Sequence, residues 1–483
     1  MAQVESKYLP YIPSSITKPS LVLYLCMLVL CAFLYAQYSM NWYWWIIGLV
    51  EVVGFFYFSN FVTKEWINYS PKSFEKNLFW WGWVIRVLYM LFLYWFFDLM
   101  TDQPFMFSAA DALGYHDEAL WMAETIREGR FQSYLDYKFA PGIGVSDAGY
   151  PMYLGFVYLL FGDSIFMARL LKCIWSALSC VLLYRLAKRN FGEHVGRIAG
   201  IMMMLWPHFL VYSGMHLKET EMVFMMLLFL ERADALLRYR KFSFKNIAIV
   251  IVLMASLFTF RTILGLCAVM SVTLALLLSS KRFMSWNKRV AFLVLFAIVA
   301  LFFAGGRITS EIEKYWEGKD DNQAMRWTEI VRTQSLAQYA SASVMAPMIF
   351  TFPFPTMVET EGQENSRLIH GGLVVKNIMS YFCLVALLLL VASRAPNDET
   401  WRNHVLIGAF LIGYLVILIF SAFIHADRFH MPALTLEIIF MAYGISIMRQ
   451  MPWIKKYFTF WGLLMLVACI GWNWFKLSGR GLL

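Results

Sequence analysis

Residues 108–129 read SAADALGYHDEALWMAETIREG, the one acid-rich stretch in the first half of a very hydrophobic chain. A helix starting near Ala110 advances 100° per residue, so Asp111, Tyr115, Glu118 and Met122 share a face while His116 and Asp117 turn away from it. Asp111 and Glu118 then look the same way but stand roughly 10 Å apart along the axis, too far for both to touch one reacting atom. One of them would be a reactive acid and the other a helper or a bystander. The same pattern also fits a solvated amphipathic helix lying on a membrane, with Asp111 as an ordinary N-cap.

The composition around this stretch excludes a soluble protein with a single core. Of 483 residues 60% are hydrophobic, 18% aromatic and only 15% charged, which is the composition of an all-α polytopic membrane protein embedded in a lipid bilayer. The formal charge of +9 comes from short basic clusters between apolar runs, where the positive-inside rule places them, so it reads as topology and not as a nucleic-acid partner. All seven cysteines fall inside apolar runs with no CxxC pair, so neither a zinc site nor a disulfide framework is indicated. The first apolar run follows Pro10, Pro13 and Pro19 without a small-residue cleavage site and reads as a retained span.

Runs long enough to cross a membrane begin near 20–38, 42–62 and 78–100. Lys64, Lys72 and Lys76 assign the loop before the third span to the cytoplasm, so residues 101–148 emerge outside. This outer loop is acidic, and residues 150–161 form an apolar segment too short to cross, expected as an interfacial helix ended by Gly162 and Asp163. Further spans are expected near 165–187, 195–213, 217–236, 246–260, 262–280, 289–306, 373–393, 403–423, 428–448 and 456–475, about 13 in all. The expected parts are 1–100 with three spans, 101–164 as a first external loop carrying the chemistry, 165–306 as a bundle, 307–372 as a second external loop and 373–483 as a C-terminal bundle. The second loop contains FTFPFP at 350–355, which cannot be a helix interior.

Ionisable residues at the edge of a span are costly and need a reason. His216, Lys218, Glu219 and Glu221, then Arg261, then His425, Asp427, Arg428 and His430 all fall on the outer side, with the acidic loop. Arg and Lys donors there would hold an anionic phosphate, and a carboxylate nearby could accept a proton. Snorkelling and local ion pairing at span ends is the plainer alternative for each residue singly. Glu51, Arg86, Lys172 and Glu437 lie deeper and are candidates to pair with one another. The His425 and His430 spacing is too weak a pattern to assign a metal, and no metal ligand is named.

The arrangement resembles the GT-C glycosyltransferases, within them the bacterial relatives of protein O-mannosyltransferases and of the lipid A aminoarabinose transferase. DALGYHDEALWM is similar to a family pattern filled here by Asp111, Tyr115, Ala119 and Met122. A rival register starts at the Asp117 and Glu118 pair but sets Trp121 where Tyr is usual and Thr125 where Ala is usual. GYPMYLGFVYLLFGDSIFMARLL, HLKETEMVF and DRFHMPALTL are similar to later family segments and add Arg169, Glu219, Arg428 and Pro432. The likeness covers roughly 78–290 and, locally, 425–448.

That resemblance implies an inverting transfer from a polyprenyl-phosphate sugar to a lipid, glycan or protein acceptor, on the external (periplasmic) face of the cell's inner, or plasma, membrane. It implies Asp111 as the base, with Asp117 and Glu118 as second choice. The substrate-binding residues would be Tyr115, His116, Lys218, Glu219, Arg261, Arg428 and His430. A divalent metal is used by some GT-C enzymes and not by others, and no cofactor is assigned here. A transporter or flippase, or a polysaccharide polymerase, is the alternative reading; the polymerase would feature an Arg-rich outer loop, and this one is acidic.

Overall fold

A computed structural model describes residues 14–140, 146–239, 243–278, 348–392, 403–421, 426–448 and 450–478, together with 12, 294, 424 and 480–482. Among them the chain is helical and has no strand beyond one isolated bridge between Ser39 and Val358. The helices are α1 (Ser14–Leu34), α2 (Trp42–Trp66, with a π turn at Gly54–Phe58), α3 (Pro71–Thr101), α4 (Ala110–Arg127), α5 (Phe131–Lys138), α6 (Gly149–Phe161), α7 (Ile165–Phe191) and α8 (Glu193–Leu205). There follow α9 (Pro207–Gly214), α10 (Glu219–Tyr239), α11 (Phe244–Phe260), α12 (Thr262–Leu278), α13 (His370–Ala392), α14 (Val405–Ile419), α15 (Met431–Met448) and α16 (Pro452–Ser478).

Seven of these are long and apolar enough to cross a membrane, and the bent pair α8 and α9 makes an eighth. The chain is therefore an all-α, multi-pass membrane protein. A helix or helix pair occupies each expected span except 289–306, of which only residue 294 is described. Helices α11, α12 and α14 are shorter than a full span.

Local chemistry sets several of the helix ends. Ser70 accepts from the Ser73 amide ahead of Pro71, Ser164 from Met167 and Ser243 from Asn246, the N-cap bonds that short hydroxyl side chains supply. Gly162, at φ 72°, ends α6 as the sequence suggested. The 45° bend between α8 and α9 falls at Pro207, whose missing N–H leaves the Met203 carbonyl without its helical donor. Arg86 of α3 supplies the replacement, donating to Met203 O at 3.1 Å and Met204 O at 3.2 Å, and also to Ser176 Oγ at 2.6 Å.

Helix α7 is the hub of the first half and packs on α3, α8 and α10; α15 plays the same part later, between α13 and α8. Close backbone approach is built in where α15 meets α13, because a Cβ on Gly444 would fall 2.2 Å from the Phe382 carbonyl oxygen. Helices α3 and α7 run antiparallel: Arg169 donates to the Pro104 carbonyl at one end, and Arg185 pairs with Glu75 at the other. At that second end Arg197 caps α2 through the carbonyls of Trp66, Ile67 and Tyr69.

The deep charges do not pair with one another, which corrects the expectation for Glu51, Arg86, Lys172 and Glu437. Glu51 accepts from the Gly372 amide at 3.0 Å and the Tyr89 hydroxyl at 3.4 Å, while Lys172 lies 3.5 Å from Glu221. Glu437 has Lys376 as its charged neighbour. Glu51, Arg86 and Lys172 are thus matched to local polar groups on adjoining helices, the usual condition for keeping a charge in an apolar bundle. Both Glu437 carboxylate oxygens, by contrast, are buried without a hydrogen-bond partner among the described residues.

The FTFPFP segment is an extended, buried strap across the C-terminal helices. It cannot satisfy its own carbonyls, so side chains do so. Lys376 donates to Phe352 O, Asn377 to the carbonyls of Thr351 and Pro353, and Asn473 to Pro355 O. The helix-like part of the second loop expected around Tyr315 and Trp327 lies outside the described residues.

Candidate functional site

Helices α4, α5 and α6 form a cap at the end of the bundle where α3 finishes and α7 begins. Helix α4 starts at Ala110, the start assumed in laying out its faces, and buries Ala112, Ala119, Met122 and Ala123. Gly155 of α6 makes room for Met122, whose sulfur would lie 2.6 Å from a Cβ there. The N-cap is Ala109, with no side-chain bond, so Asp111 sits in the first turn and its carboxylate is directed elsewhere.

That carboxylate meets Arg428, which donates to Asp111 Oδ2. Arg428 comes from the 3-10 turn Asp427–His430 that leads into α15, more than three hundred residues away in sequence. Below this pair Lys218 forms an ion pair with Asp147 and lies 5.9 Å from the Tyr115 ring centroid. Glu219 Oε1 is 3.6 Å from Arg261. Arg261 sits where α11 breaks before α12, in an extended conformation (φ −164°, ψ 114°) that turns its side chain inward. Besides its partner Asp147, Lys218 is within electrostatic reach of Arg261, Glu219, Arg428 and Asp111. Asp111, Tyr115, Lys218, Glu219, Arg261 and Arg428 are therefore brought into one cluster.

The cluster has a buried floor and an open rim. Lys218, Glu219 and Arg261 are 5%, 1% and 2% exposed, whereas the Asp111 side chain is 45% and Arg428 28% exposed. The three cations are each paired with one carboxylate, of Asp111, Asp147 or Glu219, and can turn toward an incoming anion; two of those carboxylates, Asp111 and Asp147 (48% exposed), are accessible at the mouth. Burial, and secondarily the charges of Glu219 and Asp111, push the Tyr115 phenol upward, so it stays a neutral donor. Its ring meets that of Tyr150 edge-on at 5.2 Å.

Four other expected site residues lie apart from this cluster. Glu118 is closed off by α5, accepting from Tyr134 Oη at 2.9 Å and pairing with Lys138 at 2.7 Å. Its neighbour Asp117 is exposed on the outer side of α4. His116 bonds Tyr158 Oη at 2.8 Å through Nδ1, and Tyr158 in turn lies 3.3 Å from His216 Nε2. Burial lowers the His116 pKa, with Asp117 and Asp163 opposing that shift. His430 is 3.2 Å from Lys376 Nζ and 2.7 Å from the Ile424 carbonyl, against the strap. Helical periodicity did put Asp111 and Glu118 on one side of α4, but α5 folds over the second of them, and that is a tertiary event with no local sequence signal.

Sequence reasoning passed over Asp147, Tyr414 and Phe429 as parts of the site. Asp147 holds Lys218 from a left-handed turn (φ 68°). The Phe429 ring lies 4.2 Å from the Arg261 guanidinium and 5.3 Å from that of Arg428. Tyr414 Oη donates to the Phe429 carbonyl at 2.7 Å and lies 3.5 Å from Arg261 Nη1. The only hint available was the position of Phe429 beside Arg428. No group of three or more His, Cys, Asp or Glu residues poised to hold a metal ion occurs among the described residues; His425 lies outside them.

Residues 149–305 match the family model described as dolichyl-phosphate-mannose-protein mannosyltransferase. No curated protein is significantly similar to the chain. The matched stretch covers 157 of the 483 residues. It contains Lys218, Glu219 and Arg261, while Asp111, Tyr115 and Arg428 lie outside it.

Proposed function

We propose that this multi-pass membrane protein, about a third of which matches a glycosyltransferase family model, is a GT-C-type glycosyltransferase that transfers a sugar from a polyprenyl-phosphate donor to an acceptor hydroxyl, with inversion, at the outer face of the plasma membrane. The observation that carries this reading is the half-exposed Asp111 carboxylate bonded to Arg428, in a cluster that also holds Lys218 and Arg261. A phosphate leaving group needs its developing charge neutralised more than it needs a proton, so a single base suffices.

In the reaction the acceptor oxygen attacks the anomeric carbon from the side opposite the phosphate. Its proton passes to the Asp111 carboxylate as the new C–O bond forms. The bond from the anomeric carbon to the phosphate oxygen breaks, its electron pair stays on that oxygen, and polyprenyl phosphate leaves. Arg261, Lys218 and Arg428 stabilise the added negative charge. Glu219 fixes Arg261, Asp147 fixes Lys218, and Tyr115 offers a neutral hydroxyl at the same mouth. Because Arg428 holds Asp111 before substrate arrives, a bound phosphate that draws the guanidinium toward itself frees the carboxylate to act as base. The acceptor is a lipid, a glycan or a protein carrying an accessible hydroxyl.

The outer-face assignment rests on charge. Arg185, Arg189 and Arg197 gather at the end of the bundle opposite Asp111, as expected of cytoplasmic loops. The test is incorporation of radiolabelled sugar from a polyprenyl-phosphate pool in membranes carrying wild type, Asp111→Asn, or the Asp117→Asn and Glu118→Gln pair, at matched protein levels. Asp111→Asn alone is expected to lose product. Equal labelling in all three removes the base from this loop.

A further inference from the structure

We infer that Phe429 is a positioning residue that assembles the phosphate clamp, by giving the two guanidinium groups of Arg261 and Arg428 a common apolar surface to lie against. The inference rests on the reading of those arginines as phosphate ligands and adds to it the element that makes them act as a pair.

The physical problem is that two like charges from unrelated parts of the chain must be held close together while the site has no substrate. Arg261 arrives at the break between α11 and α12, and Arg428 from the turn before α15. Water would screen their repulsion, but Arg261 is 2% exposed and cannot rely on it. The Phe429 ring, itself 7% exposed, lies 4.2 Å from one guanidinium and 5.3 Å from the other. Its negative face offers partial compensation to both, and Arg is the cation that stacks best on such a face. Glu219 at 3.6 Å balances Arg261, and Asp111 balances Arg428, so each arginine is held by one carboxylate and one shared ring.

The ring is itself fixed. Tyr414 of α14 donates to the Phe429 carbonyl at 2.7 Å, and its oxygen lies 3.5 Å from Arg261 Nη1. Backbone and guanidinium are thereby referred to one hydroxyl. An aliphatic residue at 429 would fill space but supply no quadrupole, and the two guanidinium groups would be free to separate. Tyr or Trp there would preserve the face.

The experiment uses purified full-length enzyme in detergent and measures binding of radiolabelled polyprenyl phosphate, the leaving group without sugar, together with steady-state transfer. Phe429→Leu is expected to weaken polyprenyl phosphate binding about tenfold, raise the apparent KM for donor and leave the KM for acceptor unchanged. Phe429→Tyr is expected to restore binding at the same thermal stability as Phe429→Leu. Arg261→Ala and Arg428→Ala are the controls for the underlying reading. If both arginine variants bind polyprenyl phosphate as wild type does, the clamp itself is wrong. If they lose binding while Phe429→Leu keeps it, or if Phe429→Tyr fails to restore what Phe429→Leu loses, the clamp stands and the role given to Phe429 is overturned.

Discussion

At the scale of single residues, the bond between Asp111 and Arg428 separates stability from function. Both side chains are partly in water, and an ion pair so placed contributes at most about 1 kcal/mol to folding. Arg428→Gln should therefore unfold at nearly the wild-type temperature while transfer falls about a hundredfold, the scale of losing one preorganised charge donor. A melting temperature that drops in step with activity would make the bridge structural. His116 behaves differently. Burial makes its folded pKa lower than the unfolded value near 6.5, so between the two values the unfolded chain binds the extra proton. The stability associated with the neutral ring is in place above about pH 6.5 and is lost as pH falls below it. Tyr158, His216 and Phe105 pack against the ring, and Asp117 and Asp163 are the charges that oppose the shift. Moving from pH 7.5 to pH 5.5 should lower the melting temperature of wild type more than that of His116→Asn; equal decrements would remove His116 as the source.

At the scale of elements, the bend between α8 and α9 and the buried Arg86 form one device. The sequence signals the break plainly, since Pro207 cannot donate to Met203 O. It does not signal what repairs the break, because Arg86 lies on a helix more than a hundred residues earlier. Arg86→Met should strand two carbonyls in an apolar interior at about 1–3 kcal/mol each, with a clear fall in melting temperature. Adding Pro207→Ala returns an N–H to the Met203 carbonyl and should recover part of that loss. A double variant no more stable than Arg86→Met would show that the arginine has some other purpose.

At the scale of the whole molecule, the prediction concerns sidedness. Gln132 on α5 and Lys245 at the start of α11 are both exposed and lie in loops assigned to opposite faces by their charge. Apart from the exposed Cys26, the native cysteines are buried, so single new cysteines can report. In intact cells a membrane-impermeant maleimide should label Gln132→Cys directly and Lys245→Cys only after permeabilisation. The reverse pattern would invert the topology and place the Asp111 cluster in the cytoplasm.

Apolar runs and basic clusters by themselves determined the class of this protein, because a bilayer demands continuous helices of a set length and tolerates charge only at their ends. The end of α6 and the non-helical strap were legible because each depends on residues adjacent in sequence. Arg261, Lys218 and Arg428 were legible as expensive charges at span ends, each nameable alone. Only the tertiary structure decided that Arg428 bonds Asp111 with Lys218 and Arg261 in the same cluster, that Glu118 is closed off by Lys138 and Tyr134, and that His116 and His430 turn to other partners. Those outcomes depend on which helix packs beside which, and a contact between residues 111 and 428 leaves no periodicity in the chain from which it could be read.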